Sequence, residues 1–369
     1  MAGTEYEIFL VATPGLEPQL LKEARAAGFT SAQVIKGGVT LTGDMNTVWR
    51  ANLILRGATR VLLRIAEFRA MHPAQLDKRS RKVPWAEFIP PNASFRVEAT
   101  TRKSRIYHAG AATSRVEKAI ADTTGASLSK DAAIVVKVRI EDDLCTISLD
   151  TSGASLHKRG HKEAVNKAPM RETMAAMFLH ACGYDGTEPV YDPMCGSGTF
   201  PIEAAEIAAG LWPGRSRTFA FESFSGFDAA GFAELKDLNT TNTPTARFYG
   251  SDRDAGAIRM SSENAARAGV AEWCAFTCKP VSDIEAPDGP PGLVIINPPY
   301  GGRIGKKGPL YGLYASMGDA LKSGFPGWRV GLITTEGGLA KATSLPFKEP
   351  GPIVAHGGMK IRLWQTGPL

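Results

Sequence analysis

Residues 294–300 end in side chains that could perform chemistry. Residues 294–296 predict a buried strand, because consecutive β-branched apolar residues favour a sheet that is covered on both faces. The two prolines after Asn297 end that strand abruptly, and they leave an amide and then the ring of Tyr300 at its carboxyl end. In open α/β sheets this edge binds ligands. The alternative interpretation is a tight turn that closes a core strand.

A second motif, upstream of the first, joins a short strand to a glycine-rich turn at residues 190–199. Gly196 and Gly198 allow the backbone to pass close beneath a ligand, because no Cβ intervenes. A helix-like run with apolar residues at helical spacing follows over residues 200–209. A dinucleotide-binding turn would have a third glycine at position 201, where Pro201 stands, so NAD and FAD are disfavoured.

Together the two motifs resemble those of a known family. The sequence DPMCGSGT at 192–199, followed by NPPYG at 297–301, resembles motifs I and IV of class I S-adenosylmethionine (SAM) methyltransferases that act on exocyclic amino nitrogens. The wider resemblance is to the THUMP-containing 23S rRNA guanine-N2 methyltransferases, and it covers nearly the whole chain. It implies SAM as the cofactor, an RNA substrate and a C-terminal α/β sheet of the Rossmann-like, class I methyltransferase type.

The resemblance also implies which residues bind SAM. Asp252 would accept hydrogen bonds from the two ribose hydroxyls, although it follows the glycines after an aromatic-rich insertion rather than by the usual ~20 residues. A helix N-cap is its alternative role. Asp283 would reach the adenine amino group, and Asp192 would orient the glycine turn or contact the methionyl ammonium. The predicted cofactor-binding residues are Asp192, Cys195, Gly196, Ser197, Gly198, Thr199, Asp252, Asp283 and Asn297.

The resemblance makes Asn297, Pro298 and Tyr300 the predicted catalytic residues. An exocyclic guanine amine is a poor nucleophile because its lone pair is delocalised into the ring. The side-chain oxygen of Asn297 and the carbonyl of Pro298 would accept both N–H bonds and aim the lone pair at the methyl group. Tyr300 would stack on the target base, or it is a core aromatic at the strand end. Basic residues within 303–307 would meet phosphates, or they are surface charges.

Composition narrows the class of protein. The chain has 369 residues, 43 % of them apolar, and no run as long as the ~18 apolar residues of a membrane span. Residues 1–9 lack the apolar region of a secretory signal, and five cysteines without framework spacing are typical of a reducing cytosol. Cys274 and Cys278 have no second pair to complete a zinc site. We therefore expect a cytoplasmic protein with no metal and no membrane partner.

Charge is distributed unevenly along the chain. Residues 1–171 contain 26 Lys and Arg against 17 Asp and Glu, whereas residues 172–369 contain 17 against 20. A basic front and a near-neutral back suggest that one part holds a polyanion and the other acts on it. The alternative is a set of solvated basic faces. The predicted RNA-binding residues are Lys78, Arg79, Arg81, Lys82, Arg102, Lys103, Arg105, Lys158, Arg159 and Lys162.

The predicted domains follow from these patterns and from the resemblance. We expect a ferredoxin-like α+β part at residues 1–50, a THUMP RNA-binding domain at 51–155, a basic linker at 156–168 and a SAM-dependent methyltransferase domain at 169–369. The expected activity is methyl transfer to the exocyclic N2 amine of a guanosine in 23S rRNA, with tRNA as the nearest alternative substrate. DNA adenine-N6 and protein glutamine methyltransferases share NPPY but lack the basic front. An alternative of another class is a non-catalytic RNA-binding ribosome-assembly factor.

Overall fold

The computed structural model describes residues 4–163, 170–300 and 307–369, except for the side chain of Lys307. The chain divides into two compact units. The first contains the residues up to Ala12, Leu21–Leu156 and Arg217–Leu238, and the second contains Thr13–Leu20, His157–Ser216 and Asn239–Leu369. The units therefore do not follow chain order, unlike the four consecutive segments predicted from the sequence.

Strands and helices alternate through the first 156 residues. In chain order they are β1 (Tyr6–Val11), α1 (Glu17–Ala26), β2 (Gln33–Ile35), β3 (Gly38–Gly43), α2 (Met45–Ile54), β4 (Arg60–Arg69), α3 (Pro73–Ser80), β5 (Ser94–Arg102), α4 (Ala109–Thr124), β6 (Ser127–Leu128), β7 (Ile134–Glu141) and β8 (Leu144–Asp150). Asp44 begins α2 by accepting the N–H of Thr47. Gly125 ends α4 in the left-handed conformation that favours glycine.

One sheet runs through the first unit. Within the described residues it has eight strands in the order β2-β3-β1-β4-β8-β7-β5-β6. The strand β4 joins its halves, because it pairs with β1 along one edge and with β8 along the other, both antiparallel. Val61 and Leu63 of β4 are buried while their neighbours are partly exposed, as the period of two requires. The predicted boundary at residue 50 falls inside α2, whereas the sheet continues across it.

The rest of the chain alternates strands and helices as an α/β fold does. The elements are α5 (Glu172–Ala181), β9 (Val190–Asp192), α6 (Thr199–Ala208), α7 (Ala229–Asp237), β10 (Phe248–Asp252), α8 (Ala255–Ala268), β11 (Cys274–Cys278), β12 (Leu293–Ile296), α9 (Lys307–Gly324), β13 (Arg329–Thr334), α10 (Gly337–Ala342), β14 (Val354–His356) and β15 (Met359–Gln365). All four residues of β12 are buried, as its apolar sequence predicts.

The sheet of the second unit has the Rossmann-like topology that the sequence predicted. Seven strands of the described chain pair in the order β11-β10-β9-β12-β13-β15-β14. The pairs from β11 to β13 are parallel, and β15 runs antiparallel to β13. The order of connection reverses between β9 and β12. In open α/β sheets, ligands bind at the carboxyl ends of the strands beside this reversal.

The middle of the aromatic-rich insertion, which carries its phenylalanines, does not belong to the second unit. Residues 217–238 pack within the first unit, where Phe221 is fully buried. Its ring centroid lies 6.1 Å from that of Trp49 on α2 and 5.1 Å from that of Phe232 on α7. Burying such rings contributes several kcal/mol relative to exposing them. This packing places the segment in the first unit although it lies inside the predicted stretch 169–369.

Candidate active site

The glycine turn joins the end of β9 to the start of α6. Gly196 has a φ of +55° and Gly198 a φ of +82°, both in the left-handed region that favours glycine. A Cβ at Gly198 would lie 3.0 Å from Ile202 Cδ1 and 3.1 Å from Ser261 Cβ, so packing also restricts this position. A Cβ at Gly196 would meet no atom of the described chain within 4 Å. The backbone is therefore open beside Gly196, where a ligand can approach.

Two side chains of α8 hold the carbonyl groups of this turn. Ser261 Oγ donates to the carbonyl of Gly196 at 2.9 Å, and Asn264 Nδ2 donates to the carbonyl of Ser197 at 3.1 Å. Both side chains are buried. The sequence motifs do not point to either residue, although two polar residues three positions apart on the buried face of a helix are a signal that could have found them.

Asp252 links the end of β10 to the same turn. Its Oδ2 accepts the N–H of Gly196 at 3.1 Å, and its Oδ1 accepts the N–H of Asp254 at 3.0 Å. The N-cap of α8 is Asp254, which accepts the N–H of Gly256 at 2.8 Å. Asp252 is thus not the N-cap of this helix, which was its alternative role. Its carboxylate lies at the carboxyl end of the strand next to β9.

Asp192 ends β9 and is only 2 % exposed. Its Oδ1 accepts the N–H of Met194 at 3.0 Å. Burial raises the pKa of the Asp192 carboxyl to about 8, although the Met194 N–H lowers it, and the charge of Asp252 adds to the rise. A cation beside Asp192 would favour its ionised form, so the site fits a positively charged ligand group.

Asn297 follows β12 where the strand ends. Its Oδ1 atom is buried and has no hydrogen-bond partner in the part of the chain that the structure describes. Leaving a buried acceptor unpaired costs about 1–3 kcal/mol. A ligand that donates an N–H to this oxygen would remove the cost. The side chain can therefore accept a hydrogen bond from a bound ligand.

Tyr300 is 8 % exposed, and Pro298, two residues before it, is also buried. The carbonyl of Pro299 accepts a hydrogen bond from Tyr314 Oη at 3.3 Å, which anchors this corner to α9. Stacking on a base would require more of the Tyr300 ring to be exposed, so this predicted role stays a prediction. The predicted phosphate contacts of Arg303 and Lys306 lie outside the described residues, as does the side chain of Lys307.

The two motifs meet at one edge of the sheet. Tyr191 of β9 is level with Val294 of β12, and Asp192 is level with Gly250 of β10. The three strands are parallel, so their carboxyl ends lie together at the reversal of strand order. The residues at this edge are Asp192, the glycine turn with Gly196 and Gly198, Asp252 and Asn297.

The side chains of two predicted cofactor-binding residues, Asp283 and Cys195, are placed less favourably for contact with a ligand. Asp283 ends a short 3-10 turn, Val281–Asp283, where it is exposed and its Oδ1 accepts from Ser282 Oγ at 2.7 Å. Cys195 is buried, its Sγ lies 3.7 Å from Ser261 Oγ, and burial raises the pKa of its thiol well above the usual value. Cys195 can therefore offer a ligand its backbone, but its thiol packs inside the protein.

The predicted RNA contacts of the linker need correction. Lys158 is exposed, but the side chain of Arg159 is 1 % exposed and forms an ion pair with Glu203 at 2.8 Å. Lys162 is also buried and pairs with Glu172 at 3.3 Å. A buried charge that is already paired cannot reach a phosphate without leaving its partner uncompensated, which is costly. Arg159 and Lys162 are thus internal, although the sequence around them is basic.

Most of the predicted basic residues of the first unit are accessible. Those classed as exposed are Lys78, Arg79, Lys82, Arg102, Lys103 and Arg105. Arg102 and Arg105 form longer ion pairs, with Glu141 at 3.7 Å and with Asp143 at 3.9 Å. Arg81 is held more closely, by Asp77 at 3.1 Å and by Asp122 at 2.7 Å. The remaining six cations can meet a polyanion, whereas Arg81 is largely neutralised by its partners.

Neither a metal cluster nor a membrane span is found in the described chain. Within residues 4–163, 170–300 and 307–369, no group of three or more His, Cys, Asp or Glu side chains could hold a metal ion. None of the helices in those ranges is long and apolar enough to span a membrane.

Three family models match the chain. The RMKL-like methyltransferase domain matches residues 159–349, the RlmL ferredoxin-like domain matches residues 7–62, and the THUMP domain matches residues 73–150. Among curated relatives, the ribosomal RNA large subunit methyltransferase K/L of Syntrophotalea carbinolica is 36 % identical over 358 residues, which are 91 % of this chain and 50 % of that protein. The chain therefore spans about half the length of this relative.

Solved structures share the whole architecture. The crystal structure of a predicted N6-adenine-specific DNA methylase from Listeria monocytogenes is 30 % identical, with a TM-score of 0.90 and coverage of 99 % of this chain and 97 % of that chain. The crystal structure of SMU.472 complexed with SAH is 26 % identical, with a TM-score of 0.89 and coverage of 99 % and 98 %. Because the methyltransferase model alone matches more than half of the residues, the chain belongs to the RMKL-like methyltransferase family.

Proposed function

We propose that this chain transfers a methyl group from SAM to the exocyclic N2 amine of a guanosine in 23S rRNA. The observation that carries the proposal is the buried Oδ1 of Asn297, which has no partner within the described chain and lies at the strand edge that also bears the glycine turn. An amine can donate one of its two N–H bonds to Asn297 Oδ1, which has no other donor within the described residues. The motif residues alone did not reveal that the acceptor is unpaired.

The chemistry at this corner is positioning and electrostatics. Asn297 Oδ1 and the carbonyl of Pro298 would accept the two N–H bonds of the amine, which pulls the nitrogen towards tetrahedral geometry and turns its lone pair outward. Such alignment and charge stabilisation are together worth several kcal/mol. Tyr300 would support the base through its ring. SAM, when bound, supplies the methyl group and its own leaving group.

The residues beside this corner fit SAM. The open backbone at Gly196 allows close approach, and the Asp252 carboxylate offers two oxygens to a ribose diol. Asp192 is a buried carboxyl whose ionisation the methionyl ammonium would favour. Asp283 would reach the adenine amino group from its exposed 3-10 turn.

RNA is the substrate class that the THUMP match and the rRNA methyltransferase relative support. The exposed cations of the first unit would hold its phosphates. The relative is named for ribosomal RNA of the large subunit and is about twice as long as this chain, and the narrower choice of 23S rRNA rests on the resemblance of the sequence motifs. An adenine amine presents the same two N–H bonds to Asn297, so the corner by itself does not select guanine.

The test is methyl transfer from radiolabelled SAM to three substrates: 23S rRNA and tRNA from a strain that lacks this gene, and DNA. Nucleoside mass spectrometry would identify the product. We expect N2-methylguanosine in 23S rRNA and no transfer by Asn297→Ala. N2-methylguanosine in tRNA would show that tRNA is the substrate. N6-methyladenine in DNA would show that DNA is the substrate. A wild-type protein that binds no SAM in calorimetry would be a non-catalytic RNA-binding factor.

A further inference from the structure

Lys162 is a buried cation in the segment that precedes α5. Its ammonium donates to Thr199 Oγ1 at 2.7 Å and to the carbonyl of Met170 at 3.1 Å, and it lies 3.3 Å from Glu172 Oε1. An ammonium has three N–H donors, and each of these has an acceptor here. The side chain, 8 % exposed, is therefore fixed in one place.

The acceptors of Lys162 lie at the starts of two helices. Thr199 is the first residue of α6 and follows Gly198 of the glycine turn, while Glu172 is the first residue of α5. One ammonium thus ties the two helix starts together. The N-cap of α6 is Gly198, which makes no side-chain capping bond, so the first turn of α6 has no side-chain acceptor at its cap.

From this arrangement, and resting on the proposed use of SAM, we infer that Lys162 is a positioning residue for the cofactor, which acts through Thr199. By holding the Thr199 hydroxyl, it would fix the start of α6, which would receive the methionyl carboxylate of SAM. A helix N-terminus favours an anion, and this carboxylate is the only anionic group of SAM. The same contacts explain why a basic linker residue is buried.

A second buried ion pair in the same segment provides a matched control. Arg159 pairs with Glu203, which lies on α6 one turn beyond Thr199. Its side chain is 1 % exposed against 8 % for Lys162, so it is buried at least as deeply, and Glu203 is not at the start of the helix. Arg159→Met therefore removes an equivalent cation. It tests whether a weakening of α6 away from its start affects cofactor binding as much as Lys162→Met does.

The experiment is calorimetry of the full chain with S-adenosylhomocysteine and with methylthioadenosine, which lacks the amino-acid part. Lys162→Met is expected to weaken S-adenosylhomocysteine binding about tenfold, as for the removal of a charge-assisted interaction, and to change methylthioadenosine binding by less than about twofold. Lys162→Arg should restore most of the affinity. Arg159→Met should not discriminate between the two ligands.

Thr199→Val keeps the ion pair of Lys162 with Glu172 and removes only the link to α6. It should weaken S-adenosylhomocysteine binding as much as Lys162→Met, and the double variant should lose little more. If circular dichroism shows that Lys162→Met does not fold, the binding measured for Thr199→Val alone tests whether the link between Lys162 and Thr199 positions the cofactor. Normal binding by Thr199→Val, or equal loss of both ligands in Lys162→Met, would overturn the inference. Binding of neither ligand by the wild type would instead reject the proposed use of SAM.

Discussion

Asp192 lies on β9 beside β10, whose last residue is Asp252, and the charge of Asp252 adds to the burial that raises the pKa of Asp192 to about 8. Two carboxyl groups at one sheet edge repel each other when both are ionised. The pair is therefore best suited to a ligand that brings a positive charge to this edge. A methyl donor with an ammonium and a sulfonium has that property.

The first prediction concerns pH. The free protein holds a proton on Asp192 below about pH 8, and a bound cation favours its loss, so SAM affinity should rise by up to tenfold per pH unit as the pH approaches 8 and then level off. Calorimetry in buffers of different ionisation enthalpy measures the released proton. Asp192→Asn should abolish the pH dependence, and an unchanged profile in that variant would reject the assignment.

The raised pKa of Asp192 also affects stability. Stability should fall as the pH rises, whereas SAM affinity should increase. The folded state keeps a proton on Asp192 that the unfolded state loses above its ordinary pKa of 3.8, so this group makes the cofactor-free protein less stable as the pH rises from about 4 to about 8. Urea unfolding across this range should show that the stability of the wild type falls relative to that of Asp192→Asn as the pH rises.

The second prediction concerns Asp252. Replacing it by Ala removes the acceptor for the Gly196 N–H and the proposed acceptor for the ribose, so SAM affinity should fall about tenfold to a hundredfold. Asp252→Asn keeps one acceptor oxygen and should lie between Ala and the wild type. Calorimetry measures both. Wild-type affinity in Asp252→Ala would mean that the residue serves only to shape the turn.

The third prediction concerns Asn297. Asn297→Ala should abolish methyl transfer, leave RNA affinity within a few-fold, and leave thermal stability unchanged or slightly higher, because it removes a buried acceptor that has no partner among the described residues. Activity, filter binding and thermal unfolding test the three parts. A joint loss of RNA binding and stability would identify Asn297 as a folding residue.

The fourth prediction concerns the aromatic insertion. Phe221→Ala should lower the free energy of unfolding of the first unit by about 3–5 kcal/mol, because it empties a fully buried ring site. Urea unfolding followed by tryptophan fluorescence measures it, since Trp49 packs on this ring. Leu238→Ala is the control: Leu238 is 67 % exposed and should change stability by less than about 0.5 kcal/mol.

The fifth prediction concerns RNA binding by the first unit. Replacing the exposed Arg102, Lys103 and Arg105 by Ala should weaken binding and reduce the slope of log affinity against log salt by about 2, because each neutralised phosphate of a single strand contributes ~0.7 to that slope. Arg81→Ala is the control for the loss of one cation, because Asp77 and Asp122 hold Arg81 more closely than Glu141 holds Arg102 or Asp143 holds Arg105, and it should reduce the slope by less than ~0.7. An effect per removed cation that is the same in both variants would show that general charge, and not this surface, determines affinity.

The chemistry could be predicted from the sequence because its parts are contiguous. The strand, glycine turn and helix start lie within residues 190–199, and the amide-proline-proline-tyrosine corner lies within 297–300. Local rules for β-branched residues, glycine and proline determine such stretches. The central strands β12 and β13 of the Rossmann-like sheet were predictable for the same reason, since each carries its own apolar signal.

The surroundings of the site depended on contacts between distant parts of the chain. Ser261 and Asn264 hold the glycine turn although they follow their partners in it by more than sixty residues in sequence. The single eight-stranded sheet and the placement of residues 217–238 in the first unit likewise depend on pairing that local patterns do not record.

The sequence by itself thus determined the fold class, the two motifs and the basic character of the front of the chain. Only the tertiary structure decided which of the basic residues face solvent: Arg159 and Lys162 have acceptors on α5 and α6, while Lys158 is exposed. The physical reason is that a charge is buried or solvated according to the partners that folding brings to it. Those partners lie elsewhere in the chain, so the sequence next to a basic residue does not show whether it has one.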